Sequence, residues 1–159
     1  MALFDSFKYP VSGFHFVVYF NGLLPNPIDI SFQSVSGLSV TVETESYAEG
    51  GENRFVHEIP KGLKFSTLTL KRGLKSVPSS VAKWCEDAYE KFEFKRLNLI
   101  VVLLNENHIP IKTWNVVGAY PIKYELGEFN AETQSVLIET LELKYDYFKL
   151  LSIGDLIPT

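Results

Sequence analysis

The sequence predicts a mainly β fold: a β-barrel or tight β-sandwich of about eight strands, with one flanking α-helix over about residues 79–92. Three observations predict it. Apolar and polar residues alternate with period two along most of the chain. One segment instead carries apolar residues at helical spacing. The 159 residues include 12 Phe and 8 Tyr, residue types that favour strands. A chain of this length suits a single domain spanning residues 1–159.

The first two alternating segments differ in the polarity of one of their two faces. Residues 14–20 are largely apolar on both faces, which predicts a strand that is covered on both sides. Residues 38–46 alternate strictly, which predicts one inward and one outward face. The inward set is Leu38, Val40 and Val42, and the outward set is Thr41, Glu43 and Glu45.

The middle of the chain supplies two further strands. In residues 64–72, Phe65 is out of phase with Leu68 and Leu70, which predicts a bulge or bend near Ser66. Residues 97–105 are almost continuously apolar, which predicts a central buried strand.

The last strands are long. Residues 111–126 predict two short strands with a bend at residues 118–121, where Gly118 and Pro121 interrupt the pattern. Residues 135–148 predict one long strand with two distinct faces. One face holds Leu141, Leu143, Tyr145 and Tyr147, and the other holds Thr140, Glu142, Lys144 and Asp146.

The single helical segment lies within residues 76–94. Pro78, Ser79 and Ser80 supply start signals for a helix. Steps of four, three and four residues then form an apolar stripe made of Val81, Cys85, Ala88 and Phe92. Such a helix would close one side of the β structure and bury Trp84, which flanks the stripe.

Composition excludes several classes of protein. The net charge of -4 lacks the basic excess that is typical of nucleic-acid-binding domains. The single cysteine forms no internal disulfide, which favours assembly in a reducing compartment such as the cytoplasm. The N-terminus has no signal-peptide pattern, and the longest apolar run, residues 99–104, is too short to anchor the chain in a membrane.

The candidate chemical groups do not assemble into a site. His15, His57 and His108 lack metal-ligand spacing, so no metal is expected. Cys85 lies on the apolar helical stripe, which favours a buried structural thiol over a nucleophile. The Lys71–Arg72 pair is predicted to meet acidic neighbours. No nucleotide-binding or nucleophile motif is present, so we expect neither catalysis nor a cofactor.

Residues 46–62 form an unusually long connection that carries both apolar and charged side chains. The Gly50–Gly51 pair permits a chain reversal there. The long candidate edge strands also lack the prolines and inward charges that usually block edge pairing. Edges of this kind either aggregate or pair with a chosen partner.

Six segments, in this order, carry a resemblance to a known family. They are FQSVSGLSV, ESYAEGGEN, IPKGLKFSTLTLKRGL, the helix with Trp84, PIKTWNVVGAYPIKYE and AETQSVLIETLELKYDYF. The chain resembles, over residues 9–148, the tail-tube family of contractile phages. That family includes the inner-tube proteins of extracellular contractile injection systems and is related to the tube protein of type VI secretion. The most specific pieces are residues 49–51, residues 69–74, and Trp114 followed by residues 119–121.

Two departures leave the exact member open. Residues 118–121 replace the NAWP or NAFP that the family often has, and residues 21–30 are longer than expected. The alternatives are a repeated shaft subunit and a specialised first-ring subunit next to the baseplate. A phage tail and a phage-derived injection system also both remain open.

The resemblance implies a structural subunit that forms stacked hexameric rings around a lumen. Its implied partners are further copies of itself, the sheath, the baseplate hub or spike, and a tape-measure protein, protein cargo or DNA in the lumen. The implied inter-subunit arm comprises Tyr47, Glu49, Gly50, Gly51, Glu52, Arg54, Phe55, Glu58 and Ile59. The implied structural residues are Lys71, Arg72, Gly73, Trp84, Trp114 and Pro121.

The strand faces suggest two candidate linings for the lumen. Thr41, Glu43 and Glu45 form one and would make the lumen acidic, and the polar face of residues 140–146 forms the other. Either set could instead lie on the outer wall. The rival hypothesis is a monomeric β-barrel that binds a small ligand. The arm and the open edges favour the tube, because a closed ligand-binding barrel needs neither.

Overall fold

The computed structural model describes residues 14–23, 27–74, 78–128, 130–132 and 136–152. It confirms the mainly β fold class with a flanking helix. The elements in chain order are β1 (His15–Asn21), α1 (Pro27–Ile30), β2 (Ser31–Phe32), β3 (Ser34–Ser36), β4 (Val40–Tyr47), β5 (His57–Phe65), β6 (Leu68–Gly73), α2 (Ser80–Glu90), β7 (Leu97–Leu104), β8 (Pro110–Leu126), β9 (Ile138–Lys144) and β10 (Tyr147–Leu151).

The strands form one large and one small antiparallel sheet. The large sheet has eight strands in the order β2-β1-β7-β8-β9-β6-β3, with β10 paired to β8 beside this path. The small sheet is the hairpin of β4 and β5. Over the described residues the large sheet is an open path, so the single chain fits the sandwich form of the prediction and not the closed barrel.

Strand β8 joins two halves of the large sheet. Its first half pairs with β7 and β10, and its second half, from Tyr120, pairs with β9. The predicted pair of short strands is therefore wrong: β8 is one strand of 17 residues. The predicted bend is present as irregular backbone: the β7 ladder shifts register across Gly118, and the β9 ladder shifts between Pro121 and Lys123. Gly118 has a φ of +70°, which glycine readily adopts.

The predicted long last strand is divided instead. It breaks at Tyr145 and Asp146 into β9 and β10, which pair with opposite halves of β8. The Asp146 N–H leaves the β9 ladder and donates to the Val117 carbonyl at 2.9 Å. The chain thereby follows β8 through its change of direction.

The core lies between the large sheet and α2. Its largest fully buried strand side chains come from five strands: Val18, Leu68, Leu70, Leu99, Val101, Val116 and Leu143. Trp84 and Cys85 of α2 are buried against this layer, as predicted. Each buried side chain of this size contributes roughly 1.5–3 kcal/mol relative to an exposed one.

Helix α2 begins close to the predicted position and ends earlier. Ser79 is the N-cap, and its hydroxyl accepts a hydrogen bond from the Ala82 N–H at 3.1 Å. The placement of Phe92 on the buried stripe is wrong. The helix ends at Glu90, and Phe92 has a φ of +54° and is 81% exposed.

Two strand predictions differ in outcome. The bend near Ser66 is confirmed, because β5 ends at Phe65 and β6 begins only at Leu68. The covering of β1 on both sides is wrong: Val18 is fully buried, but Tyr19 on the other face is 46% exposed.

Candidate assembly interface

Strands β4 and β5 form a hairpin that projects from the domain, and we call residues 40–65 the arm. Every residue of β4 is exposed, as is every residue of β5 except Phe65. The prediction that Val40 and Val42 point inward is therefore wrong; they are 47% and 53% exposed. Their strand pairs with β5 alone among the described residues, so the domain core does not reach them. The third residue of that set, Leu38, does pack against the core.

The arm reverses at the glycine pair, as the sequence predicts. The Glu52 N–H donates to the Glu49 carbonyl at 3.2 Å, which closes a four-residue turn. Gly51 has a φ of +100°, the conformation that favours glycine at the third position of such a turn.

Several charged residues near the tip of the arm find partners within the arm itself. Arg54 donates from Nε and Nη2 to the two carboxylate oxygens of Glu52, at 2.9 and 3.0 Å. This contact lowers the pKa of Glu52 and raises that of Arg54. His57 lies 3.5 Å from the Glu49 carboxylate. Glu58 accepts hydrogen bonds from the hydroxyls of Thr44 and Ser46. Contacts within the single chain therefore hold the conformation of the tip.

Two apolar patches lie on opposite faces of the arm. Opposed residues share a face, and Val40 opposes Phe65 while Val42 opposes Leu63. We call the exposed residues Val40, Val42 and Leu63 the basal patch. Near the tip, Tyr47 and Ile59 lie on the other face, with Phe55 stacked edge-on against His57. We call Tyr47, Phe55 and Ile59 the distal patch.

A four-strand segment, β3-β6-β9 and the second half of β8, has one polar and one buried face. Its register aligns Ser36, Thr69, Glu142 and Lys123 across the four strands. We call the polar face the polar wall; it consists of Ser34, Ser36, Thr69, Lys71, Lys123, Glu125, Thr140, Glu142 and Lys144.

The charge of the polar wall is mixed, and Lys123 contacts Glu125 at 2.9 Å and Glu142 at 3.8 Å. Asp146 instead contacts Arg96 at 2.8 Å. The other candidate lining, Thr41, Glu43 and Glu45, lies exposed on β4 of the arm.

This four-strand segment ends in two edges. In the described chain, β3 pairs along its length with β6 alone, and residues 120–126 of β8 pair with β9 alone, since the β7 ladder stops at Ala119. Three successive antiparallel pairings separate the edges, so β3 runs antiparallel to β8. Both edges carry backbone groups that a further strand can satisfy.

An apolar groove of about 440 Å³ runs beside the β8 edge. We call it the aromatic groove. The C-terminal turn of α2, the segment after it and β8 supply its walls, which include Tyr89, Phe92, Phe94, Tyr120 and Ile122. Cys85 lies at its base, where burial raises the pKa of the thiol to about 12. At neutral pH this cysteine is a protonated packing residue, as the sequence predicts.

A buried ionic network lies beneath the opposite end of the same four strands. Arg72 donates from Nε to Glu139 at 2.5 Å, from Nη1 to Asp29 at 3.3 Å and from Nη2 to the Ser79 hydroxyl at 2.9 Å. Tyr124 donates to the second oxygen of Glu139. Burial, together with this bond, raises the pKa of Tyr124. The network ties the start of α2 to β6, β8, β9 and α1.

The structural residues named from the sequence fall in different places. Arg72 is buried in the network, and Lys71 lies on the polar wall. Trp84 is buried and donates from Nε1 to the Lys95 carbonyl at 2.8 Å. Pro121 lines the aromatic groove, and a Cβ on Gly73 would lie 3.2 Å from Val136. Trp114 is partly buried and packs against the core.

Sequence reasoning missed two acidic members of the network. Glu139 did carry a signal: it lies in phase with Leu141 and Leu143, so a carboxylate occupies a core position of β9. Asp29 carried none, because α1 is a single turn whose packing only the fold reveals.

Within the described ranges, no group of three or more His, Cys, Asp or Glu side chains is arranged to hold a metal ion. Neither described helix is long and apolar enough to cross a membrane.

The exposed arm, the open edges and the polar wall are features of a chain that can pair with further chains, and comparison with known proteins identifies its family. The model of the family described as T4-like virus tail tube protein gp19 matches residues 12–149. The chain belongs to this family. No curated protein sequence matches the chain significantly.

Several solved structures share the fold of this chain. A chain in the anti-feeding prophage (AFP) baseplate is 33% identical with a TM-score of 0.76, covering 91% of this chain and 97% of that one. A chain of the PVC sheath-tube complex, an extracellular contractile injection system, is 20% identical with a TM-score of 0.75, covering 96% and 100%. Hcp1 from Salmonella typhimurium is 15% identical with a TM-score of 0.54, covering 87% and 86%, and shares the fold.

Proposed function

We propose that this chain is a structural subunit of an inner tube, acting as one domain that assembles into hexameric rings which stack around a lumen. The observation that carries the proposal is the pair of open edges, β3 and the second half of β8. They bound one four-strand segment, run in opposite directions and share the polar wall on the same side.

These edges suit a head-to-tail joint between copies. A rotation about an axis along the strands brings β3 of one copy beside β8 of the next, and the joint is antiparallel like every other pairing in the sheet. The edges differ from each other, so the interface is heterologous, and it ends in a ring when the rotation closes. Closure satisfies the edge groups that a solitary chain leaves open.

The two faces of the joined sheet decide what lines the lumen. Helix α2 already occupies the apolar face, so the polar wall is the face that water and cargo would meet. Helix α2 then lies on the outside of the ring, towards the sheath. Thr41, Glu43 and Glu45 lie on the arm face that continues the polar wall, and would add acidic groups to its rim.

The arm would serve contacts between rings and between neighbours. Its distal patch of Tyr47, Phe55 and Ile59 is exposed and braced by internal ion pairs, so a second copy meets a pre-formed surface. Pre-organisation of this kind reduces the entropy lost on docking.

We propose that the subunit lies near the baseplate. The chain is 33% identical to the AFP baseplate chain but 20–22% identical to the PVC sheath-tube chain and the AFP cap chain. This difference supports a first-ring subunit over a repeated shaft subunit. Immunogold electron microscopy of assembled particles tests it: label at the baseplate end supports the first-ring role, and label along the whole tube contradicts it.

A subunit of an inner tube has further expected properties. The subunit is non-catalytic, is made in the bacterial cytoplasm, and contacts sheath, hub or spike, and a cargo inside the bore. The similar chains come from baseplate, sheath-tube and cap assemblies, which supports the sheath and baseplate partners.

Cysteine pairs across the predicted joint test ring closure. In a Cys85→Ala background, Ser36→Cys is combined with Lys123→Cys, because these residues are level across the four strands. A second combination, Ser36→Cys with Glu125→Cys, covers a register shifted by two residues. We expect rings in negative-stain images and a disulfide-linked ladder on a non-reducing gel. A monomer at high concentration without links would contradict the tube and favour the ligand-binding monomer.

A further inference from the structure

We propose that the basal patch of one copy's arm packs into the aromatic groove of the next copy in the ring. This inference rests on the proposed ring and identifies the surface that receives the arm. It joins two apolar surfaces that a single chain leaves uncovered: Val40, Val42 and Leu63 on the arm, and Tyr89, Phe92, Phe94 and Ile122 in the groove.

The alignment of residues across the four strands brings the basal patch and the aromatic groove together. Across the four strands, Ser36 is level with Lys123. When β3 of the next copy pairs with this edge antiparallel, its chain beyond Ser36 runs towards Tyr120. Tyr120 lies in the groove wall, with its ring 6.0 Å from that of Phe94. The arm begins at Val40, four residues after Ser36, which is a reach of at most about 14 Å.

The faces also agree. Val40 shares its face with Phe65, whose ring lies 5.9 Å from Tyr145 and 5.5 Å from Phe148, so the basal patch continues the core side of the sheet. On β8, Lys123 and Glu125 lie on the polar wall, which leaves Ile122 on the core side, where it lines the groove. Both apolar surfaces therefore lie on the same side of the joined sheet.

The exit of the arm from the domain is fixed. Gly37 has a φ of +92°, and its carbonyl accepts a hydrogen bond from the buried Tyr145 hydroxyl at 2.9 Å. The Ser66 N–H donates to the Ser39 carbonyl at 3.2 Å on the returning strand. The base of the arm is thus fixed relative to β3 of the same chain. When β3 pairs with the neighbouring copy, the arm is therefore directed at that same neighbour.

A matched pair of cross-links tests this packing. In the Cys85→Ala background, Val42→Cys is combined with Phe94→Cys, and the control combines Glu43→Cys with Phe94→Cys. Glu43 is the next residue along β4 and lies on the opposite face. We expect the Val42 pair to give a disulfide ladder in rings, and the Glu43 pair to give at least roughly tenfold less, because its side chain points away from the groove.

Each outcome decides a different claim. If rings form and the Ser36–Lys123 joint cross-links while the Val42 pair does not, the groove assignment is overturned and the tube stands. Equal cross-linking by the Val42 and Glu43 pairs also overturns it. If neither rings nor any cross-link appear, the proposed function falls as well.

A charge placed in the interface gives an independent measurement. Val42→Asp would bury a carboxylate in an apolar groove, so we expect rings to dissociate at protein concentrations at least roughly tenfold higher than for the parent. Thr41→Asp is the control, on the same strand and the opposite face. Equal stability of the two variant rings, with circular dichroism showing both folded, would overturn the inference.

Discussion

Arg72 and Glu139 form an ion pair in the interior, with Arg72 Nε 2.5 Å from Glu139 Oε2 and both side chains only 6% exposed. The two residues face each other on β6 and β9. Tyr124 donates to the other Glu139 oxygen, and the Arg72 guanidinium lies 5.3 Å from the ring centre of Phe32. Paired charges of this kind hold the strands at one register, because a shifted strand would leave a buried charge alone.

Removing the cation should destabilise the chain strongly. Arg72→Met leaves the carboxylates of Asp29 and Glu139 buried without their guanidinium, so we expect a loss of about 3–5 kcal/mol in the free energy of unfolding. Urea denaturation followed by circular dichroism measures it. Lys71→Met, the exposed neighbour on the polar wall, is the control and should change stability by at most about 0.5 kcal/mol. Equal effects of the two substitutions would contradict a structural role for the network.

Much of the fold was readable from the sequence, because most strands bury one face. Alternation identified β6 and β9, an almost continuous apolar run identified β7, and the stripe of Val81, Cys85 and Ala88 identified α2. The same signal identified the arm strand β4 but misassigned its faces. Alternation in β4 predicts that one face is covered, and within one chain nothing described covers Val40 and Val42. The covering surface, on our proposal, belongs to a second copy.

Other features could not be read because they depend on contacts distant in sequence. Asp29 reaches the start of α2, where it accepts from the Ser80 N–H at 2.9 Å across 51 positions. The change of partner along β8 was seen only as a bend, since Gly118 and Pro121 mark irregular backbone without showing which strand lies alongside. Phe92 continued the helical spacing, but the chain leaves the helix at Glu90.

The placement of the arm should depend on Gly37. Its φ is +92°, and an added Cβ would lie 1.8 Å from the Thr67 carbonyl oxygen, so Gly37→Ala requires the backbone to move. We expect a lower melting temperature and reduced ring formation, the left-handed conformation alone costing about 1–2 kcal/mol. Gly62→Ala is the control, because an added Cβ there has no atom within 4 Å. A melting temperature for Gly37→Ala equal to that of the control would show that this junction is not rigid.

Alkaline pH should destabilise the chain through Cys85. Burial raises the thiol pKa from its ordinary value of 9.0 to about 12 in the folded chain. The unfolded chain therefore loses its proton first, and the stabilising effect is complete below pH 9 and is lost as the pH rises towards 12. We expect the free energy of unfolding to fall by up to about 1.4 kcal/mol per pH unit from this group.

Tyr124 and Tyr145 also have raised pKa values and contribute to the pH dependence. Comparison with Cys85→Ala separates the contribution of the thiol from that of these tyrosines. Urea midpoints between pH 8 and 10.5 should fall less steeply in the variant than in the parent. Parallel curves would mean that the thiol titrates normally and is therefore reached by water.

Shortening the arm should separate ring closure from ring stacking. The tip, residues 48–56, is exposed apart from a half-buried Glu52, and its ion pairs lie within the arm, so its loss removes nothing from the domain core. Replacing residues 48–56 with Asn-Gly joins Tyr47 and His57, which already oppose each other, through a two-residue hairpin turn. We expect an unchanged circular dichroism spectrum, intact rings through the β3–β8 joint, and few or no stacked tubes in negative-stain images.

The control is the double substitution Glu52→Ala with Arg54→Ala, which keeps the length of the tip and removes its bidentate ion pair. Because such an exposed pair contributes little to stability, rings of this variant should stack nearly as those of the parent do. Tubes of ordinary length from the shortened arm would show that stacking depends on other surfaces, and loss of rings would show that the tip acts within the ring.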